Sequence, residues 1–224
     1  MKVKGEKRSF LLLRYFKLCS ISVYALELLA VKRYNKIQPD NQIIYIIRNI
    51  GGRIKMEEAP FLMTERLILR PLRLDDSKNL MYLLHPDIQK DVGPFMPHFP
   101  NDLPKHIDRI RGDTTWLITL NQNEVIGDIG VFSKKDNVIG EMAWYLAPKY
   151  WRMGYATEAG LAVIDYMFSE LNYCKLTAQI DNTNIPSCRL AKKLGFNLEC
   201  IEYNSDLYGK RTDVCLYSIR NIEV

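Results

Sequence analysis

The segment Tyr150-Trp151-Arg152-Met153-Gly154-Tyr155-Ala156-Thr157-Glu158-Ala159 stands between a strand-like run and a helix-like run, and the rest of the chain is read outward from it. Gly154 and Ala156 are small residues at a helix entrance. Backbone N–H groups of the first turn can therefore face a ligand, and the helix N-terminus adds about half a positive charge. That arrangement suits an anion. A tight strand-to-helix turn without a ligand uses the same residues, so the segment alone leaves both readings open. It has neither the G-x-x-x-x-G-K-[ST] spacing of a nucleoside-triphosphate loop nor the G-x-G-x-x-G spacing of a dinucleotide fold, which argues against ATP and NAD.

Upstream, Thr114–Leu120, Val125–Phe132 and Val138–Leu146 read as three strands joined by the polar turns NQNE and SKKDN, an antiparallel meander. Downstream the period changes: Gly160, Ile164, Met167, Phe168 and Leu171 fall on one face of a helix over residues 156–171. A strand at Lys175–Ile180 follows, and strand, helix, strand in that order predicts a parallel crossover. The next helix, about Asn184–Leu194, has Asn184 as N-cap, Pro186 in the first turn, Ser187 at the third helical position and Gly195 as its terminator. Asn197–Tyr203 and Val214–Ile219 close the chain as a hairpin. Before the meander, residues 67–72 read as a strand, Asp75 as the N-cap of a helix through about Leu84, and residues 103–111 as a short helix. Between those helices, residues 86–104 hold five prolines and one glycine, the composition of an irregular loop and a candidate binding loop. The expected class is α+β, with α/β/α layers around a mixed, mostly antiparallel central sheet of about seven strands.

Residues 150–159 and 184–196, in this order and about 30 residues apart, resemble the two cofactor motifs of the GCN5-related N-acetyltransferase (GNAT) superfamily. The first is similar to its acetyl-CoA pyrophosphate motif [QR]-x-x-G-x-[GA]. The second, with Asn184, Ser187 and the closing Leu194-Gly195-Phe196, is similar to its following helix. The opening Thr64-Glu65-Arg66-Leu67-Ile68-Leu69-Arg70-Pro71 resembles the start of the RimJ/RimL branch, which modifies protein N-termini. The likeness covers about residues 63–220. It departs from the family pattern at Trp151, which holds the first motif position, and at Arg152 and Met153, where that branch commonly has a glycine and a basic residue. Arg152 is left as either a phosphate partner or a solvated surface residue.

The resemblance implies a parallel, splayed strand pair, with a V-shaped opening between the strand ending at Leu146 and the strand beginning near Lys175. Acetyl-CoA as co-substrate would lie there, its pantetheine arm against the backbone of Trp144, Tyr145 and Leu146 and near Asn184 and Ser187. Its pyrophosphate would lie over Trp151, Arg152, Met153, Gly154, Tyr155, Ala156 and Thr157. The implied reaction is direct acetyl transfer to a primary amine, with a protein N-terminal α-amine as the first expectation. A small-molecule amine (polyamine, amino sugar or amino acid) and a non-catalytic acyl-CoA-binding module are the alternatives.

Transfer from a thioester to an amine needs a neutral amine, support for an oxyanion and a proton for the leaving thiolate. Glu141 shares a strand face with Ala143 and Tyr145 and is the candidate base, directly or through water. A paired or solvent-facing glutamate is the plainer reading of the same residue. For the thiolate proton, the resemblance implies Ser187, and Tyr203 in the closing hairpin is the alternative.

Composition sets the remaining bounds. The 224 residues are 47% hydrophobic and 25% charged, the balance of a globular domain with an appendage. Residues 1–55 hold 12 Lys+Arg against 3 Asp+Glu, leaving 19 against 23 in the remainder. Residues 1–62 are expected to be a basic extension, either an amphipathic helix or a stretch outside the mature protein, and residues 63–224 the transferase domain. Arg14, Lys17 and Glu27 interrupt the apolar run Ser9–Val31, which disfavours a spanning helix, and membrane contact by residues 1–55 is not expected. The main domain has no basic stripe for nucleic acid, and its acidity suits a cationic acceptor. Cysteines 19, 174, 188, 200 and 215 form no metal or disulfide pattern, and histidines 85, 98 and 106 lack zinc spacing. No metal is expected, the compartment is expected to be the cytoplasm, and the assembly a monomer or homodimer.

Overall fold

The computed structural model describes residues 44–45, 59–94, 96–111, 114–120, 124–133, 138–207 and 209–222. They lie in a compact unit that spans Gln42–Val224. Most of the extension expected over residues 1–62 is outside the described residues.

The described strands are β1 (Ile44–Tyr45), β2 (Leu62–Met63), β3 (Leu67–Pro71), β4 (Thr115–Leu120), β5 (Glu124–Ser133), β6 (Ile139–Leu146), β7 (Lys175–Asp181), β8 (Asn197–Leu207) and β9 (Lys210–Arg220). They form one sheet in the order β1-β2-β3-β4-β5-β6-β7-β9-β8. Each neighbouring pair is antiparallel except β6 with β7. Seven of these strands are the expected ones. β1 and β2 are two residues each, too short for alternation to reveal.

The helices are α1 (Pro86–Gln89), α2 (Leu103–Ile110), α3 (Tyr155–Ser169) and α4 (Ile185–Lys193), with a 3₁₀ segment over Asp76–Leu84. Side-chain alternation divides the apolar residues between the two sheet faces. Leu67, Leu69, Trp116, Ile118, Ile129, Val131, Met142, Leu176 and Ala178 share one buried cluster with Ala159, Val163, Tyr166 and Met167 of α3. Full burial of each large side chain is worth about 1.5–3 kcal/mol. Trp116 meets Tyr166 edge to face at 5.8 Å and donates its indole N–H to the Pro60 carbonyl at 2.6 Å. Leu117 points the other way and joins Leu72, Leu80, Leu83, Leu103 and Ile107 beneath the 3₁₀ segment and α2.

α3 and α4 approach closely at Gly160, where a Cβ would fall 2.7 Å from a Leu194 methyl. α4 ends as its sequence predicts: Gly195 takes φ +88°, its N–H bonds the Lys192 carbonyl and the Phe196 N–H bonds the Ala191 carbonyl. Three local expectations are corrected. Asp75 makes no side-chain cap; Asp76 accepts instead from the Arg73 N–H at 2.8 Å, from Arg70 and from Asn79. The three-residue repeat of the 3₁₀ segment places Asn79 over Asp76. Part of the proline-rich stretch 86–104 is helical, as α1, a short 3₁₀ turn at Pro100–Asp102 and the start of α2. The closing strands run to Leu207 and from Lys210, because pairing with β9 resumes at Ser205 and Asp206 after a bulge in which Asn204 takes φ 50° and donates its N–H to the Asp213 side chain.

Candidate active site

β6 and β7 pair only at Ile139–Lys175, Gly140–Leu176 and Glu141–Thr177. Beyond that point β6 stays paired to β5 as far as Leu146, and β7 stays paired to β9 as far as Asp181. Each arm is held by its outer neighbour while the inner edges diverge. The result is a V whose inner edges offer backbone N–H and C=O groups to an extended ligand.

Glu141 is the last residue of β6 paired with β7 and so sits at the vertex. Its Oε2 accepts from Gln179 Nε2 on the opposite arm at 3.1 Å, and the Thr177 hydroxyl donates to the Gly140 carbonyl at 3.2 Å. Glu141, Ala143 and Tyr145 face the same side, opposite Phe132, Gly130 and Asp128 of β5 in the register. Trp144 lies on the other face, packed against the main core. The Leu146 carbonyl accepts the Trp151 indole N–H at 2.6 Å, which ties the loop after β6 to the end of the strand.

That loop turns into α3 through two left-handed residues, Arg152 at φ 62° and Gly154 at φ 85°. Gly154 is the N-cap of α3 and has no side chain to cap with, so the first-turn N–H groups of Tyr155, Ala156 and Thr157 are left to an incoming acceptor. Trp151, Arg152 and Met153 are exposed around this cradle.

The cradle is fastened from behind by residues near β3. Glu158, in the first turn of α3, accepts from the Thr64 hydroxyl at 2.5 Å, from the Arg66 N–H at 2.8 Å and from Arg66 Nε at 2.7 Å. Arg66 Nη1 donates to the Met153 carbonyl at 3.1 Å, and its guanidinium lies over the Tyr155 ring at 4.5 Å. Burial alone raises the Glu158 pKa, but the bonds from Thr64 and Arg66 outweigh it and hold the carboxyl below its ordinary range.

On the far arm, the Asn184 side-chain oxygen accepts the Ser187 N–H at 3.1 Å, the N-cap expected from sequence, and places half-buried Ser187 in the first turn of α4. Tyr203 is not brought to the same place. It is 76% exposed on β8, with β9 between it and β7. Cys188 and Cys215 are buried, as small hydrophobes would be, whereas Cys200 is exposed and Cys174 half-buried.

Sequence reading missed Asp128. It is buried, accepts the Tyr82 hydroxyl proton donor from the 3₁₀ segment, and lies beside Tyr145 on the Glu141 face. Burial pushes its pKa from 3.8 up to about 7 despite the bond from Tyr82. The signal was present: a lone carboxylate inside the apolar run Val125–Phe132. Among the described residues, no group of His, Cys, Asp and Glu could hold a metal ion, and no helix is long and apolar enough to cross a membrane.

The family model for the acetyltransferase (GNAT) domain matches residues 66–197, more than half of the chain. The uncharacterized N-acetyltransferase p20 of Bacillus licheniformis is 31% identical over 172 residues, covering 70% of this chain and 94% of that protein. The mouse (Mus musculus) alpha/beta-tubulin-N-acetyltransferase 9 is 36% identical over 75 residues, 32% of this chain and 31% of its own length. Among solved structures, Mycobacterium smegmatis RimJ in complex with CoA-disulfide superposes with a TM-score of 0.60 at 19% identity, covering 70% of this chain and 83% of that one. That last likeness is one of fold.

Proposed function

The chain belongs to the GNAT acetyltransferase family and is an N-acetyltransferase, and on that premise we propose that it transfers the acetyl group of acetyl-CoA to the α-amine of a protein N-terminus in the cytoplasm. The observation that carries the cofactor reading is the V between β6 and β7 leading to an uncapped helix N-terminus at Gly154. An extended amide chain fits the open strand edges, and a pyrophosphate fits the first-turn N–H groups. Trp144, Tyr145 and Leu146 would supply the strand edge, residues 151–157 the cradle, and Asn184 and Ser187 the far wall.

In this reading the amine nitrogen attacks the thioester carbonyl, the new C–N bond forms and the C–S bond breaks. Glu141, at the vertex and bonded to Gln179, takes the amine proton directly or through water. Ser187, in the first turn of α4, supplies the proton to the departing thiolate. Tyr203, exposed on β8, has less geometric support for that role.

The choice of an α-amine rests on the RimJ/RimL-like opening, the RimJ fold likeness, and energetics. Freeing a lysine amine of its proton at pH 7 costs about 4.6 kcal/mol, whereas an α-amine costs about 1 kcal/mol. A single glutamate at the vertex is enough help for the second and meagre help for the first. The test is to incubate the full chain with acetyl-CoA and a peptide library, and to locate acetyl groups by fragmentation mass spectrometry. Acetyl on peptide α-amines supports the reading. Turnover confined to polyamines, amino sugars or amino acids reassigns the acceptor, and no turnover with any amine leaves an acyl-CoA-binding module.

A further inference from the structure

The Thr64-Glu65-Arg66 opening has no part in the chemistry above, yet its arginine lies against the cradle. Arg66 reaches Glu158, the Met153 carbonyl and the Tyr155 ring at once, and a Cβ on Gly154 would come within 3.3 Å of its Nη2. The side chain is nonetheless 43% exposed. We propose that Arg66 is a positioning residue for the cofactor pyrophosphate, acting through Met153 and Glu158. This inference rests on residues 151–157 being the pyrophosphate cradle.

Two physical arguments carry it. The first is charge. Glu158 occupies the first turn of α3 and is held ionised. A bare carboxylate there would cancel the attraction that the helix N-terminus exerts on a phosphate. Arg66 pairs with it through Nε and Nη2, both 2.7 Å from the same oxygen, and removes that opposition. The second is shape. The loop passes through left-handed backbone at Arg152 and Gly154, a conformation that costs about 1–2 kcal/mol at a non-glycine residue and persists only when its surroundings fix it. The Arg66 bond to the Met153 carbonyl lies between those two residues and fixes the turn from outside. The opening of the domain and the helix after β6, 92 residues apart, thereby form one device.

The experiment compares the full chain with Arg66→Ala, Arg66→Lys, the double variant Arg66→Ala/Glu158→Gln, and Gly154→Val. The readouts are acetyl-CoA affinity by calorimetry, KM for each substrate, and kcat. Arg66→Ala is expected to weaken acetyl-CoA binding about tenfold while kcat and the acceptor KM stay within about twofold. Removing the uncovered carboxylate in the double variant is expected to recover about threefold. Arg66→Lys, which keeps the charge without the fork, is expected to lose about threefold, and it decides the matter should the alanine variant fail to fold. If Gly154→Val loses binding while both Arg66 variants bind as the parent does, the Arg66 inference is wrong and the cradle stands. If Gly154→Val also binds normally, the cradle reading itself is wrong. A proportional loss in kcat and both KM values would make Arg66 a general structural residue and overturn the proposal, and no recovery in the double variant would remove the charge argument.

Discussion

Replacing Asp128 with asparagine should change how stability depends on pH. Asp128 is buried, with the Tyr82 hydroxyl donating to one oxygen, and its folded pKa is raised from 3.8 to about 7. Below pH 3.8 the carboxyl is protonated in both folded and unfolded chains. Between 3.8 and 7 the unfolded chain releases the proton and the folded chain keeps it, so stability falls by about 1.4 kcal/mol per pH unit. The stability present below pH 3.8 is lost as pH rises through about 7, a total of about 4 kcal/mol at the upper limit. Asparagine keeps an oxygen for Tyr82 and does not titrate. Every other group titrates alike in both proteins, so the difference between them isolates Asp128. Urea unfolding at pH 4, 5, 6, 7 and 8 is the assay. Asp128→Asn should gain on the parent steadily as pH rises, by roughly 3–4 kcal/mol between pH 4 and 8. Parallel pH profiles would refute the reasoning, because they would mean that the folded protein ionises Asp128 as readily as the unfolded one.

Glu141→Gln should lower kcat about a hundredfold or more, with acetyl-CoA affinity unchanged by calorimetry; an unaltered kcat would clear Glu141 of the base role. Gly160→Val adds atoms where a Cβ already meets Leu194 at 2.7 Å, and should cost about 1–3 kcal/mol in urea unfolding through the α3–α4 contact. Asn184→Ala removes the side-chain acceptor of the Ser187 N–H and should cost about 1 kcal/mol of stability, read by thermal unfolding, and raise the acetyl-CoA KM.

Much of this architecture was legible because local chemistry and tertiary context agree. The meander, the change of period near residue 156, the Asn184 cap and the Gly195 terminator are each determined within a few residues, and the structure has all of them, the helix starting at Tyr155. The reading was incomplete wherever a distant partner decides the outcome. β1 and β2 exist by pairing with the next strand, not by pattern. The polar half of β8 is a strand because β9 supplies its bonds. Asp75 reads as a good cap from its neighbours alone, yet its side chain caps nothing, and it is Asp76 that Arg70 from β3 engages. At the site, the residue types around the cradle could be named in advance. That Arg66 would grip them could not, since 92 residues separate it from Glu158. Asp128 was overlooked for a related reason: alternation assigns a face, but only packing by Tyr82 and the 3₁₀ segment makes that face dry.

The open V and the uncapped start of α3 are proposed to form one acetyl-CoA site. Calorimetric titration of the full chain with acetyl-CoA, beside Gly154→Val, tests it most directly. The parent should bind one equivalent. The variant should keep its far-UV spectrum yet show no saturable heat, because valine at φ 85° strains the turn and presses on Arg66. Equal affinity in the two proteins would contradict the claim and move the cofactor elsewhere on the sheet.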